Sequence, residues 1–363
     1  MNRLLSRTID IAEHDDVYEF MFDRGITDGL PLVPPTRDRV ERMLAGTARS
    51  PSDVIGRIPP NYMPATVEKI AINAVAAGAK PEYLPVIIAA VAASAGGRFP
   101  LHGAIASTDG IAPMMVVNGP IRERIGMNWG LNALGQGNRA NMTIGRALRL
   151  VFRNVGGARE GEVDQTVQGG AHKFTLTFAE YEDASPWPPL HVEHGYRPDE
   201  SVVTLLPVIG GPRLCIDEYS RTARALVGSL AMGFQRIFSP NGQIGPSMLV
   251  ISPEHADVYR RDGWSKDNIR EAMMELTALP IRDRLATEQV GGGLTEPTMR
   301  REGIGPDDLD RPMSKVSDPS HIQFAVAGAT AGKRTGIYPG IVRRMDPEHM
   351  DRFRPASARI DMS

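Results

Sequence analysis

The sequence predicts a mixed α/β (α+β) fold of two similarly built halves with an inserted strand and a Pro-rich loop region, and two observations carry that prediction. Apolar segments with helical and with strand periodicity alternate along the whole chain. Two of them, "APMMVVNGP" (Ala112 to Pro120) and "PSMLVISPEHA" (Pro246 to Ala256), share one shape: a short strand closed by a proline-bearing turn. Each follows an apolar helix, Leu84 to Ala95 in one case and Thr222 to Phe234 in the other. The halves are expected at 61–200 and 201–345, after N-terminal helices and a Pro-rich loop at 1–60 and before a tail at 346–363.

The elements follow in order. Between His14 and Arg24, Val17, Phe20, Met21 and Phe22 give a short amphipathic helix that Gly25 stops. "TDGLPLVPPT" is stiff and extended, because Pro31, Pro34 and Pro35 fix φ and remove donors; Thr36 then caps a helix carrying Val40, Met43 and Leu44. Thr66 caps "VEKIAINAVAAG", and Gly78 ends it. "KPEY" leads into the run Leu84 to Ala95, whose twelve residues fall short of the roughly 18 that a membrane span needs, so it reads as a buried helix. Between the halves, "HKFTLTFAEYE" alternates as a strand does and "SPWPPLHVEHGYRP" is the Pro-rich loop. "VVTLLPVIGGP" and "HIQFAVAGATAGK" add strands with glycine turns. Residues 296–320 and those after Arg343 are charged and irregular, and read as mobile or as arms held by another subunit.

Composition narrows the function classes. With 42% hydrophobic and 23% charged residues and a net charge of -2, the chain has no basic excess to draw nucleic acid. "MNRLLSRTIDIAEHDD" turns acidic without an apolar signal core, so a cytoplasmic location is expected, with no membrane partner. A lone cysteine, Cys215, excludes an internal disulfide; in "GGPRLCIDEY", with no histidine beside it, it reads as a small buried hydrophobe.

Three clusters could carry chemistry. In and just before "GLNALGQGNRANMTIGRALRL" (130–150), Asn128, Asn132, Asn138, Arg139, Asn141 and Thr143 crowd a glycine-spaced bend before a helix whose apolar face is Ile144, Leu148 and Val151. Helix-start N–H groups attract an anion and Arg139 or Arg146 offers a fork for carboxylate or phosphate; the plainer reading is a loop whose amides bind their own backbone. "HVEHG" places His191, Glu193 and His194 together. In an extended segment His191 and Glu193 share a side, either as ligands of a divalent metal with His194 or as an acid–base pair tuned by Glu180, Glu182 or Glu193. "AVAGATAGKRTG" fails as a nucleotide loop, since residue 327 is Ala and Arg334 follows Lys333, but Lys333 and Arg334 make a small-anion cradle. No dinucleotide motif follows a strand. Trp187, set among Pro186, Pro188 and Pro189, either covers a pocket or packs.

The combination of "TDGLPLVPPT", "PATVEKIAINAVAAGAKPEYLPVIIAAV", "VNGPI", "GNRANMTIGRALRL", "SPWPPLHVEHG" and "DGWSK" resembles the bacterial UGSC-motif (seleno)protein family and its companion proteins over most of the chain. The resemblance implies redox or carbon–heteroatom bond chemistry with a thiol or selenol. This sequence departs there: it has no Cys-Gly-Ser-Cys, and Ala79 stands where similar sequences often carry Cys. Either the redox motif lies on a partner chain, or the chemistry here is not redox.

The resulting expectation is an enzyme that lyses or hydrolyses a carbon–heteroatom bond in a small anionic organic molecule. Asn128, Arg139, Thr143, Arg146, Lys333 and Arg334 would bind the substrate. Asn132 and Asn141 would stabilise developing charge, and His191 with Glu193 would move the proton. A homo-oligomer is expected. The alternative is an accessory subunit of a UGSC-type redox complex.

Overall fold

The computed structural model describes residues 4–12, 15–238, 241–340 and 355–362. His14, the expected start of the first helix, and residues 346–354 of the expected tail lie outside them. The fold is mixed α/β, as the alternation of apolar periods predicts.

The first helices lie where the sequence puts them, although Thr36, at the N-terminal boundary of the second, makes no side-chain capping bond. α1 (Val17–Asp23) starts at Asp16, whose carboxylate accepts from the Tyr18 and Glu19 amides, and α2 (Arg37–Leu44) buries Val40 and Met43. A hairpin the sequence did not announce, β1 (Val54–Ile58) with antiparallel β2 (Met63–Thr66), comes next. Thr66 Oγ1 accepts from the Lys69 amide at 3.3 Å and so caps α3 (Val67–Ala76). α4 (Leu84–Ala95) is buried nearly all round, which is why it shows no polar face. After α5 (Leu101–Ile105), all eight residues of β3 (Ile111–Asn118) are buried. α6 (Ile121–Arg124) and the long α7 (Arg139–Asn154) follow. β4 (Thr177–Ala179) is shorter than the alternating run suggested, because a 3-10 turn occupies 171–173.

The segment read as an extended loop holds a helical turn, α8 (Leu190–Glu193). β5 (Val202–Ile209), β6 (Arg213–Ile216), α9 (Ala223–Gln235), β7 (Gly245–Ile251), α10 (Pro253–Asp262) and α11 (Lys266–Leu276) follow in turn. β8 (Leu279–Pro280) pairs with β9 (Pro312–Met313), and between them the segment read as irregular carries α12 (Glu296–Arg301). β10 (Ile322–Val326), β11 (Arg334–Gly340) and β12 (Ala356–Arg359) complete the chain, the last within what the sequence reads as a tail.

The chain divides into two compact units, 1–180 with 191–210 and 355–363, and 181–190 with 211–354. In the first, β4 is parallel to β3, β3 antiparallel to β5, and β5 antiparallel to β12. In the second, β10 is parallel to β7, β7 antiparallel to β11, and β11 antiparallel to β6. The pattern is the same, and the fourth strands are exchanged: β6 follows β5 in the chain but pairs in the second unit, while β12 follows β11 but pairs in the first. An apolar helix precedes the leading strand each time, α4 before β3 and α9 before β7. The first core joins α4 to β5 and β12 and α3 to α7. At Gly145 of α7 a Cβ would lie 2.4 Å from Thr177 Oγ1 of β4, so glycine lets the helix approach the strand this closely. The second core gathers Phe234, Leu249, Tyr259, Phe324 and Ile337.

Candidate functional site

The asparagine-rich bend before α7 satisfies itself. Asn138 caps the helix, its Oδ1 accepting from the Asn141 amide at 3.0 Å while its Nδ2 donates to Gly126 O at 2.8 Å. Asn141, 1% exposed, accepts from the Asn128 amide and donates to the carbonyls of Asn128 and Ala133. Asn128 bridges the Gly130 amide and Leu131 O, and Asn132, held at φ 60°, donates to Gln136 O. Every one of these amides is spent on backbone that the turn would otherwise leave unpaired. Thr143 Oγ1 donates back to Arg139 O, and Arg139 Nε donates to Gly78 O. Arg146 grips Asp28 through two hydrogen bonds of 2.7 and 2.8 Å and also donates to Leu30 O and Pro31 O, so its charge is neutralised and its task is to pin the "TDGLPLVPPT" segment to α7. Of the residues expected to seat an anion, Asn128, Asn132 and Asn141 are bonded to the bend's own backbone, Thr143 to its helix and Arg146 to Asp28, while Arg139 is exposed.

The histidine cluster is corrected too. In the helical turn of α8, residues two apart point to different sides: His191 is fully buried and Glu193 exposed. They do not share a side, as an extended strand would have made them do. His194 Nδ1 lies 3.5 Å from Ser357 Oγ. Among the described residues no group of three or more His, Cys, Asp or Glu is placed to hold a metal ion, so the set His191, Glu193 and His194 is not assembled as one.

In the second unit, Lys333 Nζ donates to Glu218 O and the Arg334 amide to Ser252 Oγ, which ties the basic turn to its surroundings. Burial raises the Cys215 thiol to about 11, with Asp217 adding to the rise, and this keeps it a protonated, inert packing group. Trp187 packs: its Nε1 donates to Trp264 O at 2.7 Å and its ring lies 5.7 Å from that of Tyr259.

The charged site lies at the other end of α7. Arg146, Arg149 and Arg153 recur at i, i+3 and i+7 and therefore share one face. The loop after the helix, "GGAREGEVDQTVQGGAHK", brings Asp164 against that face. Asp164, 7% exposed, accepts from Lys173 Nζ at 2.6 Å on both oxygens and from Thr166 Oγ1 at 2.6 Å, and Arg149 Nη2 stands 3.7 Å away. Burial alone would raise its pKa, but the hydrogen bonds from Lys173 and Thr166 outweigh burial and hold it below the ordinary carboxylate value. Arg149 donates to Lys173 O, and Arg153 pairs with Glu160 at 2.9 Å.

Two clefts open here with Arg153 on the wall of both. One, of about 310 Å³, is lined by Arg149, Asp164, Thr166, Lys173 and the glycines 161, 169 and 170. The other, of about 630 Å³, has apolar walls that include Ile26, Leu32, Met63, Ile72 and Val155, with Lys69, Arg159, Asn61 and Glu162 among them. Sequence reasoning missed this site. Its signal was the arginine spacing on α7 together with an acidic, glycine-rich loop that ends in Lys173.

A further buried polar cluster sits where parallel β3 and β4 end: Asn118 Nδ2 donates to Glu180 Oε2 at 2.7 Å, and Arg122 donates to Glu180 O and stacks over Trp129. This network is where "VNGPI" closes its turn. Gly119, at φ 83°, has no room for a Cβ, which would fall 2.1 Å from Glu200 O. Compared with known proteins, the chain matches no family model, no curated protein and no solved structure.

Proposed function

We propose that this chain is an enzyme of small organic anions, and that the anion is taken up beside α7 in the first unit. The observation that carries the proposal is the 630 Å³ cleft: its size is that of a ligand site, its walls are largely apolar, and of its cations Arg153 pairs with Glu160 and Arg159 with Glu162, while Lys69 donates to Pro64 O and has no carboxylate partner among the described residues. An apolar body would rest on Leu32, Met63 and Ile72 while the anionic head meets the cations. The adjoining smaller cleft supplies Lys173 and Arg149, fixed in place by Asp164. Since Asp164 already pairs with both, they frame the cleft, and the anionic head with the charge that develops as a carbon–heteroatom bond breaks by lysis or hydrolysis is assigned to Lys69 of the larger cleft. His191, fully buried and lining neither cleft, is given no part in this scheme.

The test is thermal unfolding of the whole chain against a panel of small carboxylates, phosphates and sulfonates, followed by product analysis for whichever class stabilises it. One class raising the midpoint in the wild type, and much less in Lys69→Ala and Arg159→Ala, is the expected result. A panel without any stabilising member at millimolar concentration ends the proposal.

A second reading, an accessory subunit for a UGSC-type partner protein, is favoured by one feature of the second unit. β6 turns Leu214 and Ile216 outward at 59% and 56% exposure while Cys215 between them is buried, and Tyr219 and Met232 are exposed as well. Co-purification with such a partner, lost in Leu214→Asp, would support it. Gel filtration as a lone species in the partner's presence would remove it.

A further inference from the structure

The larger cleft of the first unit has a polar end and an apolar end. Lys69, Ile72, Asn73 and Ala76 recur at i, i+3, i+4 and i+7, so one face of α3 forms a wall about 10 Å long at 1.5 Å per residue. At the Ala76 end the Val33 amide donates to Ala76 O at 3.1 Å, which holds Leu32 and Pro35 against the helix. At the other end Lys69 Nζ donates to Pro64 O at 3.0 Å, next to Met63 in β2. Most polar groups of the wall are engaged. Asn73 donates to Lys69 O and accepts from Asn154, which also donates to Ile26 O. Arg153 pairs with Glu160 at 2.9 Å and Arg159 with Glu162 at 3.8 Å. Two groups keep donors in hand: the Lys69 ammonium has two N–H beyond the one on Pro64 O, and the side-chain amide of Asn61 makes no hydrogen bond among the described residues. Glycine at 157 gives that amide its place on the wall, since a Cβ there would lie 2.2 Å from Asn61 Nδ2.

We propose that the anion taken up here is an elongated monocarboxylate, its head on Lys69 and its apolar chain lying along α3 towards Ala76, Leu32 and Pro35. This narrows the reading of the cleft given above and rests on it. One cation without a carboxylate partner matches one negative charge. A second charge on the ligand would face either the apolar end or Glu162, and its desolvation would go uncompensated. Selection among monocarboxylates then falls to chain length, because each methylene buried along Ile72 and Ala76 tightens binding about fourfold.

The experiment unfolds the full chain thermally, at constant ionic strength, with increasing acetate, butyrate, hexanoate, adipate or inorganic phosphate, and takes affinities from the concentration dependence of the midpoint. Hexanoate should bind roughly 15-fold tighter than butyrate, two methylenes shorter, and at least tenfold tighter than adipate, which has the same length and a second charge. Lys69→Ala should weaken hexanoate about tenfold. Ile72→Ser should flatten the dependence on chain length and leave acetate unchanged; if that variant does not fold, the hexanoate-to-adipate ratio in the wild type decides. Adipate or phosphate binding as tightly as hexanoate, equal affinity for acetate and hexanoate, or an undiminished hexanoate response in Lys69→Ala would overturn the monocarboxylate. So would silence from every carboxylate while a phosphate or sulfonate stabilises the chain, and in that case an anion site remains. Silence from all anion classes removes the cleft reading and this inference together.

Discussion

Two polar, glycine-rich loops bracket α7, and they use their polarity differently. The loop before the helix, 126–138, is built on side-chain amides, and nearly all of its hydrogen bonds join those amides to backbone of the bend itself or of the first turn of α7. The loop after it, 156–173, is built on charges: Asp164 pairs with Lys173 within the loop, and Asp164 and Glu160 reach Arg149 and Arg153 of α7. An amide carries donor and acceptor together and can close a turn by itself; an ion needs an opposite ion, which local chain rarely supplies. The first loop is therefore complete without a guest. The second lines two clefts: in the smaller, three cations face three carboxylates, and in the larger Lys69 has no carboxylate partner among the described residues.

That contrast can be broken at several points. The largest effect belongs to Asp164→Ala, which leaves Lys173 and Arg149 partly buried without their shared partner and should cost about 3–5 kcal/mol, read from denaturant unfolding. A loss below about 1 kcal/mol would mean that the charges are solvated and the loop is as self-sufficient as its counterpart. Asp164 also sets an acid limb. Its folded carboxyl titrates below the unfolded value of about 3.9, so its contribution is complete above pH 4 and disappears as the pH falls through the lower folded value. In Asp164→Asn that limb should flatten.

Asn141→Ala removes one acceptor and two donors from a buried turn and should cost about 2 kcal/mol, with anion stabilisation intact. A loss of anion response there would restore the bend as a binding site. Lys69→Ala should weaken binding of a stabilising anion about tenfold, roughly 1.4 kcal/mol, with little change in the stability of the free protein. Thr143→Val should be the mildest, within about 0.5 kcal/mol and without effect on binding, because its hydroxyl only donates back to Arg139 O within the helix.

Local chemistry was readable before any coordinate. Thr36 and Thr66 before their helices, the twelve apolar residues of α4, and the matched runs that became β3 and β7 are all signals that neighbouring residues generate among themselves. The hairpin of β1 and β2 escaped notice because its strands are half exposed and lack a continuous apolar run. "HVEHG" misled because five residues cannot say whether they extend or coil, and that choice sends His191 inward and Glu193 outward.

Sequence by itself determined the longer helices, the buried strands and the mixed class, since caps and apolar periodicity act over a few residues. Tertiary structure alone decided which strand completes which sheet, with β6 and β12 exchanged between the units. It also decided which polar groups are already spoken for and which still face a cleft. The reason is physical: a hydrogen bond or ion pair between residues far apart in the chain, such as Arg146 with Asp28, leaves no mark on the spacing of either partner.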